Sequence, residues 1–151
     1  MVVIGKEECI GMMNHVVAHL KDGTVVKGLC FDIDPHRPYC HIKTNGDVTE
    51  VALQDLKALF FVRDLEGNPK RVDAQEADPT DSRLRGTTQV EVRFLDNERI
   101  IGLSNRFPPR GPFFFVVPVD PASNNTRILI NSAAVRSVEL VHPEAATGTH
   151  G

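Results

Sequence analysis

Four side chains that could bind a metal ion lie within a short part of the sequence. They are Cys30, His36, Cys40 and His41, and imidazole and thiolate groups are common zinc ligands. Their spacing matches no zinc motif with paired cysteines. A second, similar stretch of the chain has other residue types at the corresponding positions, namely Ser104, Arg110, Phe114 and Phe115. We therefore predict no metal site and no cofactor.

Two carboxylates, Asp32 and Asp34, are the strongest candidates for acid–base catalysis. They stand two residues apart at the end of a predicted strand, so both can point to one side. The second stretch has Arg106 and Pro108 at these places. No serine stands in a nucleophile-elbow motif, and the chain has no glycine-rich phosphate loop. We predict no catalytic residue and no enzymatic activity.

Paired arginines offer a different kind of site. Arg106 and Arg110 are spaced as R-x-x-x-R, a form found in PilZ-type receptors, where two guanidinium groups grip the phosphates of a cyclic dinucleotide. The companion D/N-x-S-x-x-G motif is missing. With Arg37, in the corresponding proline-rich loop, these arginines form the candidate ligand-binding set for RNA or a cyclic dinucleotide.

The strands and turns that must position these residues belong to a segment that occurs twice in the sequence. Residues 15–62 align with residues 89–141, and only a few extra residues enter the second copy near Asn124. Matched pairs include Asp22 with Asp96, Gly28 with Gly102, Pro35 with Pro109 and Pro38 with Pro112. Self-similarity with matched turn residues indicates one structural unit built twice.

Each copy has the pattern of five short strands separated by turns. In the second copy, Val90, Val92 and Phe94 alternate with polar residues, which is typical of a half-buried strand. Tight hairpins are predicted at residues 22–23 and 96–97, and the mid-strand glycines Gly28 and Gly102 predict a bend.

We therefore predict an all-β protein of two tandem five-stranded small barrels that pack together. The expected organisation is an N-terminal arm (1–14), a first barrel (15–62), a polar linker (63–88), a second barrel (89–141) and a disordered tail (142–151).

Several phrases of the sequence resemble known small barrels. The hairpin LKDGTVVKG (20–28), the bent second strand and LQDLKALFFV (53–62) resemble Sm-like and SH3-like domains. Three further segments resemble a group of bacterial proteins that are built from this unit and have no established activity. These segments are RPYCHI, LKALFFVRDLEGNP and AVRSVEL. In place of the first RNA-binding Sm signature the chain has the residues DIDPHR (32–37), and no Arg-Gly pair stands at the second signature loop of this copy, which argues against oligo-RNA binding.

Two predicted strands are apolar on both faces. If Leu59, Phe61, Phe114 and Val116 point inward, the outer faces carry Phe60, Val62, Phe113, Phe115 and Val117. A strand that is apolar on both faces is normally covered on both, and an exposed aromatic stripe is a binding surface. These five residues are the candidate interface, with either the other copy or another chain.

Composition narrows the class of protein. The chain is 41% hydrophobic and 25% charged, with a net charge of −3, which is ordinary for a globular protein and counts against binding to a nucleic-acid duplex. No run of about 18 apolar residues and no signal peptide is present, and the three cysteines form no disulfide framework. We expect a cytoplasmic protein with no membrane partner. Its expected function is that of a non-catalytic interaction or self-assembly module, and the alternative is a receptor for RNA or a cyclic dinucleotide.

Overall fold

The computed structural model describes residues 14–65, 73–74 and 80–141. Within them, every regular element is a β-strand or a short 3₁₀ turn, which confirms the prediction of an all-β protein. The strands are β1 (Asn14–Leu20), β2 (Val25–Cys30), β3 (Tyr39–Thr44), β4 (Asp47–Ala52), β5 (Leu56–Val62), β6 (Thr88–Phe94), β7 (Arg99–Ser104), β8 (Phe113–Pro118), β9 (Asn125–Asn131) and β10 (Val135–Leu140). The 3₁₀ turns are Leu53–Asp55, Ser82–Arg85 and Ser132–Ala134. The predicted tail, and the predicted arm apart from Asn14, lie outside the described residues.

All ten strands belong to one antiparallel sheet in the order β10-β6-β7-β8-β9-β5-β1-β2-β3-β4. The prediction of two separate five-stranded barrels is not confirmed, because the sheet is continuous and open. Its continuity comes from the pairing of β5 with β9, which joins the first half (β1–β5) to the second half (β6–β10). This leaves β4 at one end of the sheet and β10 at the other.

The two halves have the same strand order and the same register. In each half the first strand lies between the second and fifth strands, and the fourth strand pairs only with the third within that half. Val16 pairs with Gly28 and Phe61, and Val90 pairs with Gly102 and Leu140. Residues can therefore be compared between the halves position by position.

Glycine is required at Gly28 and Gly102 by close approach of the third strand. A Cβ atom at Gly28 would press on the carbonyl oxygen of Lys43, and one at Gly102 would lie 2.9 Å from the carbonyl oxygen of Val117. Those two carbonyls occupy equivalent places. The second and third strands of each half therefore come into close contact at this glycine.

Both predicted hairpins depend on a residue with positive φ. Gly23 has a φ of 93° and Asn97 a φ of 74°, which glycine and asparagine adopt readily. The preceding aspartate caps each turn: Asp22 Oδ1 accepts a hydrogen bond from the Thr24 amide at 2.8 Å, and Asp96 Oδ1 accepts one from the Glu98 amide at 3.0 Å.

The core consists of two apolar clusters, and each half of the chain contributes residues to the cluster of the other half. The first cluster holds Val16, Ala18, Ile42, Leu59 and Phe61 from the first half, but also Leu129 from β9. The second holds Val90, Val92, Phe94, Val116, Ile128 and Ile130, but also Ala58 from β5. Strands β5 and β9 are consequently buried on both faces.

Described parts of the region predicted as a linker lie against the second half. Arg63 donates hydrogen bonds to the carbonyl oxygens of Ser123 and Pro121, each at 3.0 Å. Arg83 donates to those of Pro118 at 3.1 Å and Val119 at 2.9 Å. These contacts fix the chain on either side of the undescribed residues.

Candidate functional site

The internal joint, which we define as the β5–β9 pairing, has an apolar centre. Cα partners are Ala58 with Ile130, Leu59 with Leu129, Phe60 with Ile128 and Phe61 with Arg127. Alternate pairs face the two core clusters, and Ala58, Leu59, Leu129 and Ile130 are almost fully buried, whereas Arg127 at the fourth pair is exposed. Burial on both faces makes this pairing part of the fold rather than a surface contact.

Polar side chains reinforce the internal joint. The Asn131 amide on β9 donates hydrogen bonds to the carbonyl oxygens of Leu56 at 2.9 Å and Gln54 at 3.2 Å. Lys57 on β5 reaches the hairpin of the second half, where its Nζ lies 2.8 Å from Asp96 Oδ2 and also contacts Glu98. Desolvation lowers the pKa of Lys57, but the bonds to these carboxylates outweigh it and leave the pKa raised.

Among the strands of the described residues, none pairs with the outer side of β4 or of β10, and we call these two sides the open edges. Most of β4 is exposed, and Val48 on it is 61% exposed. Leu140 on β10 is 38% exposed and is equivalent in register to the buried Phe61 of β5. Each edge also carries a carboxylate, Glu50 on β4 and Glu139 on β10. An open edge presents unpaired backbone groups to another strand.

The five predicted interface residues are spread over both sides of the internal joint. Phe60 is half-buried against the second cluster, and Phe113 is half-buried against the first. Phe115 is 36% exposed, and Val117 is half-buried opposite Leu103. Val62 is 8% exposed, and the β5–β9 register shifts beside it, where Thr126 of β9 is skipped.

The predicted arginines line two neighbouring depressions. Arg106 and Arg110 lie in one, on the loop before β8, and Arg37 lies in the other, beside Tyr39. Phe113 lines both depressions and so connects them. The structure therefore brings the three arginines of the sequence-based set to one face.

The predicted carboxylate pair does not act as a pair. Asp32 binds His41, whose Nδ1 lies 2.6 Å from Asp32 Oδ2, while Asp34 Oδ1 caps its own loop through the His36 amide. The Nε2 atom of His41 lies 3.3 Å from Glu50 on the open β4 edge. The hydrogen bond to Asp32 raises the pKa of His41, with a further contribution from Glu50. For Asp32, burial opposes ionisation, but bonds from His41 and Cys30 hold its pKa below the usual range.

The cysteines predicted as ordinary thiols are both buried. Cys30 and Cys40 are free and fully enclosed in the first cluster. A hydrogen bond with Cys30, together with burial, raises the pKa of the Cys40 thiol. Among residues 14–65, 73–74 and 80–141, no group of three or more His, Cys, Asp or Glu side chains is arranged to hold a metal ion.

Sequence analysis did not find the open edges, nor the contacts of Asn131, Lys57 and His41. The repeat itself was the available signal, because matched halves in one sheet must leave two complementary ends. No local pattern indicates which strand of one half pairs with which strand of the other.

Comparison with known proteins assigns the chain to a family but assigns it no activity. No curated protein and no solved structure matches the chain. Within the described part of the chain, no helix has the length and apolar character needed to cross a membrane. The model of a family of unknown function matches residues 12–142. The chain therefore belongs to the family of unknown function DUF6982.

Proposed function

We propose that the chain is a non-catalytic, cytoplasmic self-assembly module whose copies join head to tail, with β10 of one copy beside β4 of the next. One observation carries this proposal. The internal joint pairs β9 with β5, and these two strands are the counterparts of β4 and β10, which are the open ends of the same sheet. Each half resembles an Sm- or SH3-like unit in strand order, and we treat it as such a unit opened at its fourth and fifth strands.

The register of the internal joint, transferred to the open edges, gives a specific set of contacts. Between two copies it places Ser137 opposite Val51, Val138 opposite Glu50, Glu139 opposite Thr49 and Leu140 opposite Val48. The last pair joins two of the large apolar side chains that are exposed in the single chain. Their association removes apolar surface from water.

Charge at the hairpin supports the same arrangement. In the internal joint, Lys57 of the first half meets Asp96 of the second half. Their counterparts are Arg136 on β10 and Asp22 in the hairpin of the first half, so head-to-tail pairing brings a guanidinium to a carboxylate. The Thr24 amide donates a hydrogen bond to Asp22 and holds its pKa low, which keeps the carboxylate charged at neutral pH.

The assembly would be heterologous, because each copy contributes two different edges to its two neighbours. Such contacts generate a ring if the rotation between copies closes, and a filament if it does not. The edges carry Glu50 and Glu139, and charged side chains at a sheet edge discourage tight, indiscriminate pairing. The association is therefore expected to be reversible and to depend on concentration.

Sedimentation velocity over a concentration series tests the proposal. The mean mass of the wild-type protein should rise with concentration, and Val48→Lys and Leu140→Lys should each give a monomer. Phe107→Lys alters a phenylalanine that is 38% exposed in the loop between β7 and β8. It belongs to neither edge strand and is the matched control, so it should assemble as the wild type does.

Sedimentation of a mixture of the two edge variants is the most discriminating experiment. The Val48→Lys chain keeps a normal β10 edge, and the Leu140→Lys chain keeps a normal β4 edge. An equimolar mixture should therefore form a heterodimer and nothing larger. A wild-type monomer up to about 1 mM, or a mixture of the two variants that stays monomeric at concentrations where the wild type assembles, would contradict the proposal.

A further inference from the structure

A second surface of the molecule is unrelated to the sheet edges. The loop before β3 and the loop before β8 reach the same face, where their arginines and aromatic rings surround the two depressions connected by Phe113. We define the arginine–aromatic face by these residues: Arg37, Tyr39, Arg106, Arg110, Phe113 and Phe115.

The aromatic rings of this face are held on strands. Tyr39 begins β3 and Phe113 begins β8, at equivalent places in the two halves. Tyr39 is 48% exposed, although a large ring on a strand is normally covered. The ring of Phe115 packs against the ring of the buried Phe61, and the two ring centroids lie 6.1 Å apart. Exposed rings on a rigid sheet are the usual platform for stacking flat ligands.

The charge of the face is positive in a chain whose net charge is −3. The described residues that line the two depressions include three arginines and no aspartate or glutamate. Arg37 has one acidic neighbour, Asp34 at 3.8 Å, and both of these side chains are exposed. A fourth arginine, Arg127, stacks its guanidinium 4.9 Å from the Phe115 ring and 4.3 Å from the Phe61 ring.

The arginines are spaced for an extended or two-ended anion. Arg37 lies at one end of the face and Arg106 with Arg110 at the other, and Phe113 lies between them. Guanidinium groups bind phosphate through two parallel hydrogen bonds. A ligand that spans the face would place phosphates at its ends and a flat apolar group over Phe113.

We propose that the arginine–aromatic face binds ligands that combine phosphates with planar bases. Single-stranded RNA and cyclic dinucleotides share this chemistry. Stacking on Tyr39, Phe113 and Phe115 would recognise the bases, and the three arginines would hold the phosphates. The face is too local to track a duplex, which requires a basic stripe along the protein.

Fluorescence anisotropy with three labelled probes tests this inference. The probes are a decauridylate RNA, cyclic di-GMP and, as the acidic control, a decaglutamate peptide. We expect the RNA, the cyclic dinucleotide or both to bind more tightly than the peptide. Comparing the affinities for the RNA and for the cyclic dinucleotide shows which of these two ligands the face prefers. RNA affinity should fall with salt, with a logarithmic slope of roughly −0.7 for each phosphate contacted.

Two kinds of variant assign the binding to this face. Replacing both Arg106 and Arg110 by alanine should weaken binding at least tenfold, and Tyr39→Ala should weaken it severalfold. Arg85→Ala, at an exposed arginine outside the two depressions, is the matched control and should bind as the wild type does. Circular dichroism verifies that each variant is folded.

Three results would overturn the inference. They are no binding of either nucleotide probe at about 0.1 mM protein in low salt, equal binding by the wild type and the double arginine variant, and binding of decaglutamate as tightly as the nucleotide probes. The last result would make the face a site for acidic peptides. None of these outcomes depends on assembly, because the Val48→Lys monomer can serve as the test protein.

Discussion

The internal joint and the open edges use the same strand positions with different side chains. On the outer faces of the internal joint, β5 carries Ala58 and Phe60 and β9 carries Leu129, and the opposite half covers these residues. The equivalent residues of the open edges are Ser137 and Glu139 on β10 and Glu50 on β4. Equivalent strand positions therefore carry apolar side chains at the internal joint and polar side chains at the open edges.

On this difference rests our proposal that one sheet makes both a permanent contact within the chain and a reversible contact between copies. Apolar side chains on both faces of β5 and β9 make the internal joint inseparable from the core. Carboxylates at the open edges are expected to oppose tight edge-to-edge pairing. The comparison makes specific predictions for matched positions in the two regions.

The largest contrast is expected between Phe61 and its counterpart Leu140. Phe61→Ala leaves a cavity in the first cluster, so the free energy of unfolding should fall by about 3–5 kcal/mol. Leu140→Ala removes an exposed side chain and should change the free energy of unfolding of the monomer by less than about 0.5 kcal/mol. Urea denaturation at low protein concentration measures both values, and similar losses for the two variants would contradict the assignment of closed and open regions.

Asn131 should have the next largest effect. Its amide satisfies two carbonyl oxygens of the first half in a buried place, so Asn131→Ala should cost about 1–3 kcal/mol of unfolding free energy. Asn124→Ala is the matched control, because the Asn124 amide donates to the carbonyl oxygen of Asp64, just after β5, but does so at the surface. A greater loss for Asn124→Ala in denaturant melts would contradict this account of the internal joint.

The open edge can be converted towards the internal joint. Glu139 occupies the place of Phe60, and Thr49 opposite it occupies the place of Ile128, so Glu139→Phe with Thr49→Ile should strengthen head-to-tail association about tenfold or more. Sedimentation equilibrium measures the gain. Ser82→Phe, an equally apolar change at an exposed site off the edges, should give none, and unchanged association in the double edge variant would be evidence against the transferred register.

The smallest effect concerns pH at the β4 edge. Because folding raises the pKa of His41 above its ordinary value of 6.5, its stabilising contribution is complete below that value and is lost as pH rises through the higher folded pKa. The stability difference between the wild type and His41→Asn should therefore be larger near about pH 5.5 than near about pH 8.5. Urea denaturation at both values checks this, with His36→Asn in the same loop as the control. A difference that grows with pH would refute the linkage.

The sequence was sufficient to predict local structure. Alternation in residues 89–94 identified β6 and its buried residues Val90, Val92 and Phe94, and Gly23 and Asn97 marked the hairpins. These features depend on periodicity and turn chemistry within a few residues. The repeated mid-strand glycine also marked a special position in the second strand of each half, and both glycines lie close to the third strand.

The long-range arrangement could not be predicted in the same way. The apolar residues of β5 indicated that both of its faces are covered, but not that β9 would pair with it, because strands whose paired residues are 63 or more positions apart share no local signal. Closure into two barrels was expected for that reason, and the continuous sheet was found instead. The Asp32–His41 contact also depends on the path of a loop, which residue types alone do not determine.

Site-specific cross-linking between differently labelled copies tests head-to-tail assembly most directly. Val48→Cys and Leu140→Cys are made separately in a Cys9→Ser background, in which Cys30 and Cys40 are buried, and are oxidised alone and as a mixture. The account predicts a disulfide-linked dimer in the mixture, joining Cys at 48 of one chain to Cys at 140 of the other, and essentially none in either variant alone. Efficient dimers of the Val48→Cys chain by itself, or no cross-link in the mixture at concentrations where the wild type assembles, would contradict it.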